Sequence, residues 1–461
     1  MGTGAASCEA QFTTNPRRLE AKITESPRRG PAWEYDERMT QRTPYYVLAV
    51  LLLGYVFNYL DRYVLTILLP AIKADLHLSD GMLGFLVGPA FAFVYALAGV
   101  PVARFADRRS RTGVLAAGMT LWSLFTAASG LVQSAFQLAC ARVAVGVGEA
   151  AGTAPSHALI SSYFAPEQRG RALAIFGSGI YIGMFLGLFL GGTLVEQIGW
   201  RWTFAAVGLP GIAVALLIRL TIDEPALPAH EGAESGGGST WEGVRQLWSL
   251  RAFRYSALGL GVSSFGGAGF GFWVPTFLQR VHGMSPSEVG ASFGFISPVA
   301  AALATVGGGF LCDRLISRDP RWWAWLPALS TLIATPFLTL VVLWPLAHEA
   351  VWWALPAGIG AMASPAVYAV VQNLAPAHLR ALATSVLILN TTLIGMGAGP
   401  WAVGYASDLF SDSLGVEALR YALVAGLITN PIGALFFWRA ARSLREDLAQ
   451  TRGAARPTPT A

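Results

Sequence analysis

Charge is scarce in this chain. Only 13% of its 461 residues are Asp, Glu, Lys or Arg, against about 25% in a typical soluble domain. Hydrophobic residues make up 54% and mean hydropathy is +0.50. That excludes an ordinary soluble domain and points to an all-α integral membrane protein. Cysteine is nearly absent: Cys8, Cys140 and Cys312 are far apart and show no metal or redox spacing, which argues against a disulfide framework. No Gly-x-Ser-x-Gly, His-Glu-x-x-His or clustered metal ligands occur, so a lipid-hydrolysing membrane enzyme lacks its machinery. An apolar h-region is missing from residues 1–44, which are polar and hold Pro16, Pro27, Pro31 and Pro44. No cleavable signal peptide is expected there. The segment reads as a cytoplasmic tail, solvated or brushing anionic headgroups.

What the chain does contain is apolar runs. A membrane-spanning helix needs about 20 predominantly apolar residues. Twelve stretches qualify: 45–70, 82–104, 113–134, 136–163, 170–193, 201–221, 253–279, 288–312, 324–346, 350–373, 381–406 and 420–441. Residues 223–250 interrupt them six and six, and Glu231 to Ser239 has the Gly/Ser composition of a flexible linker. The expected organisation is a tail over 1–44, a six-helix bundle over 45–222, a cytoplasmic linker over 223–250, a second bundle over 251–441 and a tail over 442–461.

Basic residues are distributed unevenly. The tails and alternate loops hold 26 of the 32, including Arg104, Arg108, Arg109 and Arg111 between spans two and three. The opposite side holds only Lys73, Arg201, Arg280 and Arg420, while Arg62 and Arg142 lie inside spans. By the positive-inside rule both termini are cytoplasmic. The halves also repeat. Asp107-Arg108 closes the second span and Asp313-Arg314 the eighth; Pro155 and Pro166 are spaced like Pro365 and Pro376. Internal repeats of this kind mark secondary transporters.

The residues Ala103-Arg-Phe-Ala-Asp107-Arg108-Arg-Ser-Arg111, Gly199-Trp-Arg-Trp-Thr-Phe204 and Pro166-Glu-Gln-Arg-Gly-Arg171 resemble signatures of the major facilitator superfamily. Within it, Asn58-Tyr-Leu-Asp61-Arg62, together with Arg142 and Gly146-Val-Gly-Glu149-Ala, is similar to the Spinster group. The resemblance covers about Tyr45 to Arg445. It implies two pseudo-symmetric six-helix bundles, alternating access, and an amphiphilic substrate of the sphingosine-1-phosphate or lysophospholipid type, with proton coupling in some members. The Ala-, Gly- and Arg-rich composition and near absence of lysine suggest a bacterial homologue in the inner membrane. A monomer is expected, using a proton gradient but no cofactor, with membrane lipids as partners and no nucleic acid. A drug or organic-anion carrier fits the same architecture, and a non-transporting receptor is a distant alternative.

The buried charges carry the chemistry. Ionisable groups inside spans normally face an interior or a water-filled path. Rise per residue places Asp61 about 24 Å and Glu149 about 21 Å from the cytoplasmic ends of their spans, so they share a depth. Arg142 lies two turns from Glu149 on nearly the same face, about 10 Å away. A proton switch formed by Asp61, Glu149 and Arg142 is one reading; a static bridge between spans one and four is the other. Arg62 points about 100° from Asp61, toward the cavity or a neighbouring helix. Asn58, Arg62 and Arg142 are expected on the charged wall of a substrate cavity. The matching positions of the second half are uncharged, with Phe270, Trp273, Tyr368, Asn373 and Asn390 as the opposite wall. Asp107, Arg108, Arg111, Asp313 and Arg314 are expected to latch the cytoplasmic side, or only to set topology. Glycines at 183, 187, 191 and 192 match an antiporter pattern with Leu188 in place of proline, or simply permit close packing. His157, near the inner end of span four, reads as a proton relay or as a satisfied packing histidine.

Overall fold

In a computed structural model, residues 44–224 and 240–454 are described, and they form helices joined by short turns with no strand among them. Nine helical stretches among these residues are long and apolar enough to cross a membrane. Two of the nine, 166–221 and 380–451, are long enough for two crossings each. The first of these turns at Gly199, whose φ of 74° admits no side chain without strain. The fourth crossing is broken into two shorter helices, Ala135–Glu149 and Thr153–Tyr163. Together these make the twelve expected spans, and because the number is even the two ends of the described residues, 44 and 454, lie on one face, here called the termini face, opposite the distal face.

Two boundaries differ from expectation. The last helix, Thr429–Ala454, continues 13 residues past the apolar run that ends at 441. It does so because Leu444 and Leu448 pack into the core, and the Asp447 carboxylate accepts the Ala252 backbone N–H at 2.6 Å, capping the start of the seventh span. The expected flexible linker falls partly outside the described residues, but its end forms a helix, Thr240–Ser249.

Glycine positions the spans. A Cβ on Gly183 would lie 2.5 Å from the Val56 carbonyl, one on Gly187 2.7 Å from the Leu60 carbonyl, and one on Gly191 2.6 Å from Ile67 Cγ2. This row therefore packs span five backbone-to-backbone on the charged first span. Gly192 instead faces Pro286 at the start of span eight, where Leu188 is also buried under Gly290 and Gly294. Gly187→Ala should destabilise the fold by about 1–3 kcal/mol through overpacking. A melting temperature equal to that of the unmodified protein would show that span one can move aside.

The core is shared at one end only. On the distal side, Leu65, Leu68 and Leu86 of the first half pack in one cluster with Trp273, Phe277 and Phe293 of the second. Toward the termini face the cores are separate, one around Leu115, Met119 and Ile218 and another around Phe253, Val370 and Phe437.

Candidate functional site

The first span, Pro44–Leu76, is one uninterrupted helix, and it carries Asn58, Asp61 and Arg62 to mid-depth, all buried. Span four breaks directly after Glu149. Pro155 has no N–H to donate to the Ala151 carbonyl, so the helix restarts at Thr153. The motif glycines close neighbouring spans around this break. A Cβ on Gly146 would lie 3.0 Å from the Phe91 carbonyl of span two, and one on Gly148 2.7 Å from the Trp122 nitrogen of span three. The equivalent place in the second half, Gly358–Met362 ahead of Pro365, is also broken, as a 3-10 turn. The backbone break thus repeats while the charge does not.

Glu149 pairs with Arg62. The Arg62 Nε donates to Glu149 Oε2 at 2.5 Å, with side chains 6% and 0% exposed. The Arg62 guanidinium also stands 4.9 Å from the Tyr59 ring, 4.9 Å from Phe91 and 5.1 Å from Tyr95. Desolvated cation–π contacts of this kind are worth about 2 kcal/mol or more each. Arg142, buried and 5.3 Å from the same Phe91 ring, makes no hydrogen bond or ion pair among the described residues, and its Nε has no partner. Asp61 Oδ2 accepts from Thr126 Oγ1 of span three at 3.1 Å, while Asp61 Oδ1, Glu149 Oε1 and Asn58 Nδ2 are unpartnered.

The contact joins spans one and four, as the static-bridge reading has it, with Arg62 rather than Arg142 as the partner of Glu149. Two turns of separation along one helix is too far for direct contact, whereas Arg62 approaches from span one. Phe91, Tyr95 and Thr126 had not been singled out. The first two are four residues apart on span two, a spacing that places both on one helix face.

The sequence-derived second wall is dispersed. Phe270 and Trp273 are buried in the distal core, and Trp273 Nε1 donates to the Pro400 carbonyl at 2.7 Å. The Asn390 side chain donates to the Ala257 carbonyl and joins spans eleven and seven. Tyr368 is half-buried, and Asn373 is exposed on the termini side. His157 is exposed beside Phe176.

The distal face is locked by groups that sequence reasoning missed. Asp80, 4% exposed at the start of span two, accepts two hydrogen bonds from Arg280 of span seven at 2.8 and 2.7 Å. It also accepts from Lys73 at 2.6 Å and from Ser407 of span eleven at 2.8 Å. Asp408 caps the same helix, accepting from the Asp80 and Gly81 backbone at 2.8 and 2.7 Å. Glu196 of span five does the equivalent for span eight, accepting the Ser287 N–H at 2.8 Å. Each half thus caps a helix of the other, with the carboxylate at the positive helix end. Below the caps, Gly84 and Gly88 admit the Pro400 and Gly397 carbonyls, and Gly404 admits that of Asp80.

No such lock joins the halves on the termini face among the described residues. The side chains of Asp107 and Arg108 lie outside the described residues. Arg111 is braced within its own half: its backbone N–H donates to Glu224, which also receives Thr112 Oγ1 at 2.9 Å. Asp313 and Arg314 are exposed and form no ion pair with described residues.

A family model described as Major Facilitator Superfamily matches residues 51–400. The chain is 34% identical over 421 residues to an MFS-type efflux pump of Mycolicibacterium smegmatis, spanning 90% of this chain and 96% of that one. It is 27% identical over 465 residues to protein spinster homolog 3 of Danio rerio, spanning 93% and 91%. The crystal structure of a bacterial homolog of the human lysosomal transporter Spinster, inward-facing and unoccupied, superposes with a TM-score of 0.79 at 30% identity, covering 91% of this chain and all of that one.

Proposed function

The chain belongs to the major facilitator superfamily and is related to the Spinster proteins, and on that premise we propose that it is a proton-coupled carrier of an anionic, lipid-like amphiphile. Its termini lie in the cytoplasm of a bacterium, and the closed distal face is the outer one. The observation that supports this reading best is the unpaired, buried Arg142 beside a partnered Arg62–Glu149 bridge. The cluster holds two carboxylates and two guanidiniums, which balance as long as no ligand is present. An anionic headgroup that takes Arg142 adds one negative charge to a site where uncompensated charge is costly. Uptake of a proton on Asp61, whose Oδ1 has no other partner, restores the balance. Substrate and proton then travel on one charge ledger. The Arg62–Glu149 bridge, caged by aromatic rings, holds spans one and four in register while this happens.

The test is flux in proteoliposomes under an imposed proton gradient. A lysolipid with a phosphate headgroup should be moved in response to the gradient, and one with no net charge much more slowly. Flux indifferent to the gradient overturns the coupling. A second reading, export of a drug-like organic anion, is favoured by the likeness to the efflux pump of Mycolicibacterium smegmatis. Tail length separates the two. Each added CH₂ that is buried should tighten binding by up to about 0.8 kcal/mol, roughly fourfold, if the tail is recognised. Affinity independent of tail length supports the organic-anion carrier.

A further inference from the structure

The Thr240–Ser249 helix ends one residue before span seven, so it lies at the level where the membrane meets water on the termini face. A ten-residue helix is marginal in water without a surface to dock on. One strip of it is docked on protein. A Cβ on Gly243 would lie 2.8 Å from Leu382 and 3.0 Å from Leu379 at the start of span eleven, and Leu247 is fully buried. At about 100° per residue, with Gly243 at zero, Leu247 lies near 40°, Val244 near 100°, Trp248 near 140° and Trp241 near 160°. Arg245 follows near 200°, and Ser249, Glu242 and Gln246 occupy the rest. The strip near 0–40° is therefore held on the protein, and the arc beyond it turns outward: Trp241 is 73% exposed, and Trp248, edge-on to Phe253 at 6.3 Å, is 38% exposed.

We propose that this helix is an anchor on the membrane surface that binds anionic phospholipid headgroups. Tryptophan is favoured at headgroup depth, where its ring is half in the apolar phase. Arg245 borders the tryptophans, and Arg251 and Arg254 follow at the start of span seven, all on the side of the helix's own C-terminus. Arg245 and Arg251 are exposed. The apolar arc with basic residues at its edge is the pattern of helices lying in an anionic interface. Glu242 lies on the opposite, water-facing side. Through Gly243 the anchor also sets the position of the first turn of span eleven.

The test uses the full chain in vesicles of phosphatidylcholine alone or mixed equally with phosphatidylglycerol. In a background with Cys8, Cys140 and Cys312 changed to serine, nitroxides are attached at Val244→Cys or Gln246→Cys. The label at 244 should collide with oxygen and be shielded from a water-soluble nickel chelate; the label at 246 should show the reverse. Amide exchange over 240–250 should slow when phosphatidylglycerol is present, by about fivefold for each arginine that reaches the surface. High salt should reverse the slowing, and Arg245→Gln should remove one such factor without changing the melting temperature. Equal exchange in both lipids overturns the proposal. So does a label at 244 that nickel reaches freely, or one shielded from oxygen and nickel alike, which would mean that protein covers this face.

Discussion

Asp61→Asn and Glu149→Gln are each expected to abolish proton-driven uptake in proteoliposomes, while exchange of substrate at equal pH on both sides persists. Each change removes a charge and nearly keeps the shape, so it isolates the proton's part. Their stabilities should differ. The Asp61 carboxylate has a single protein partner, the Thr126 hydroxyl at 3.1 Å, which asparagine can keep. Glu149 neutralises Arg62, which is 6% exposed and held at 2.5 Å. Stranding a buried charge of this kind costs about 3–5 kcal/mol, reduced here by the three rings around the guanidinium and by the amide oxygen of glutamine. Glu149→Gln should therefore melt lower than Asp61→Asn. Arg142→Ala should eliminate both driven uptake and exchange, because the anion loses its contact, yet should melt less low than Arg62→Ala, since Arg142 has no ion-pair partner to strand. If both neutral mutants keep the pH dependence of the unmodified protein, the four charges are a structural bridge only.

Breaking the distal lock should have the second-largest effect. Asp80→Asn withdraws the charge from four hydrogen bonds, two with Arg280 and one each with Lys73 and Ser407. A hydrogen bond to a charged group is worth about 1.5–3 kcal/mol, so losing even one equivalent shifts the ratio of closed to open distal face by roughly 10- to 150-fold. A cysteine at Thr276, buried beside the Thr66 carbonyl in the closed interface, should then react with a membrane-impermeant thiol reagent from the distal side. Arg280→Gln should behave in the same way, and Asp408→Asn more weakly, because Asp408 caps a helix without a counter-charge. Labelling that stays at the level of the unmodified protein in all three would mean that the glycine seams at Gly84, Gly88 and Gly404 hold the face shut unaided.

Composition and periodicity alone determined that the chain is helical and crosses a membrane twelve times, because twenty apolar residues in a row have no other stable destination. They also located the charges worth attention, since a carboxylate or guanidinium in such a run stands out against its neighbours. The break after Glu149 was not read from the sequence, where Pro155 served only as half of a repeat and where other prolines, such as Pro70 and Pro275, lie inside unbroken helices. What only tertiary structure decided was partnership. Whether Glu149 meets Arg62 or Arg142 depends on how span one is rolled against span four; the glycine spacing at 183, 187 and 191 showed that a helix packs closely there, but not that its partner is span one, nor that Gly146 and Gly148 seat span four on spans two and three. The distal lock was hidden for the same reason. Asp80, Arg280 and Asp408 sit at ordinary span ends, where charge is unremarkable, and they are hundreds of residues apart in the chain. Trp273 and Phe270 read as cavity wall by residue type, but that end of the interface is closed in this conformation and they became core. Residue type decides what a side chain can do, whereas the packing of one half on the other decides what it faces.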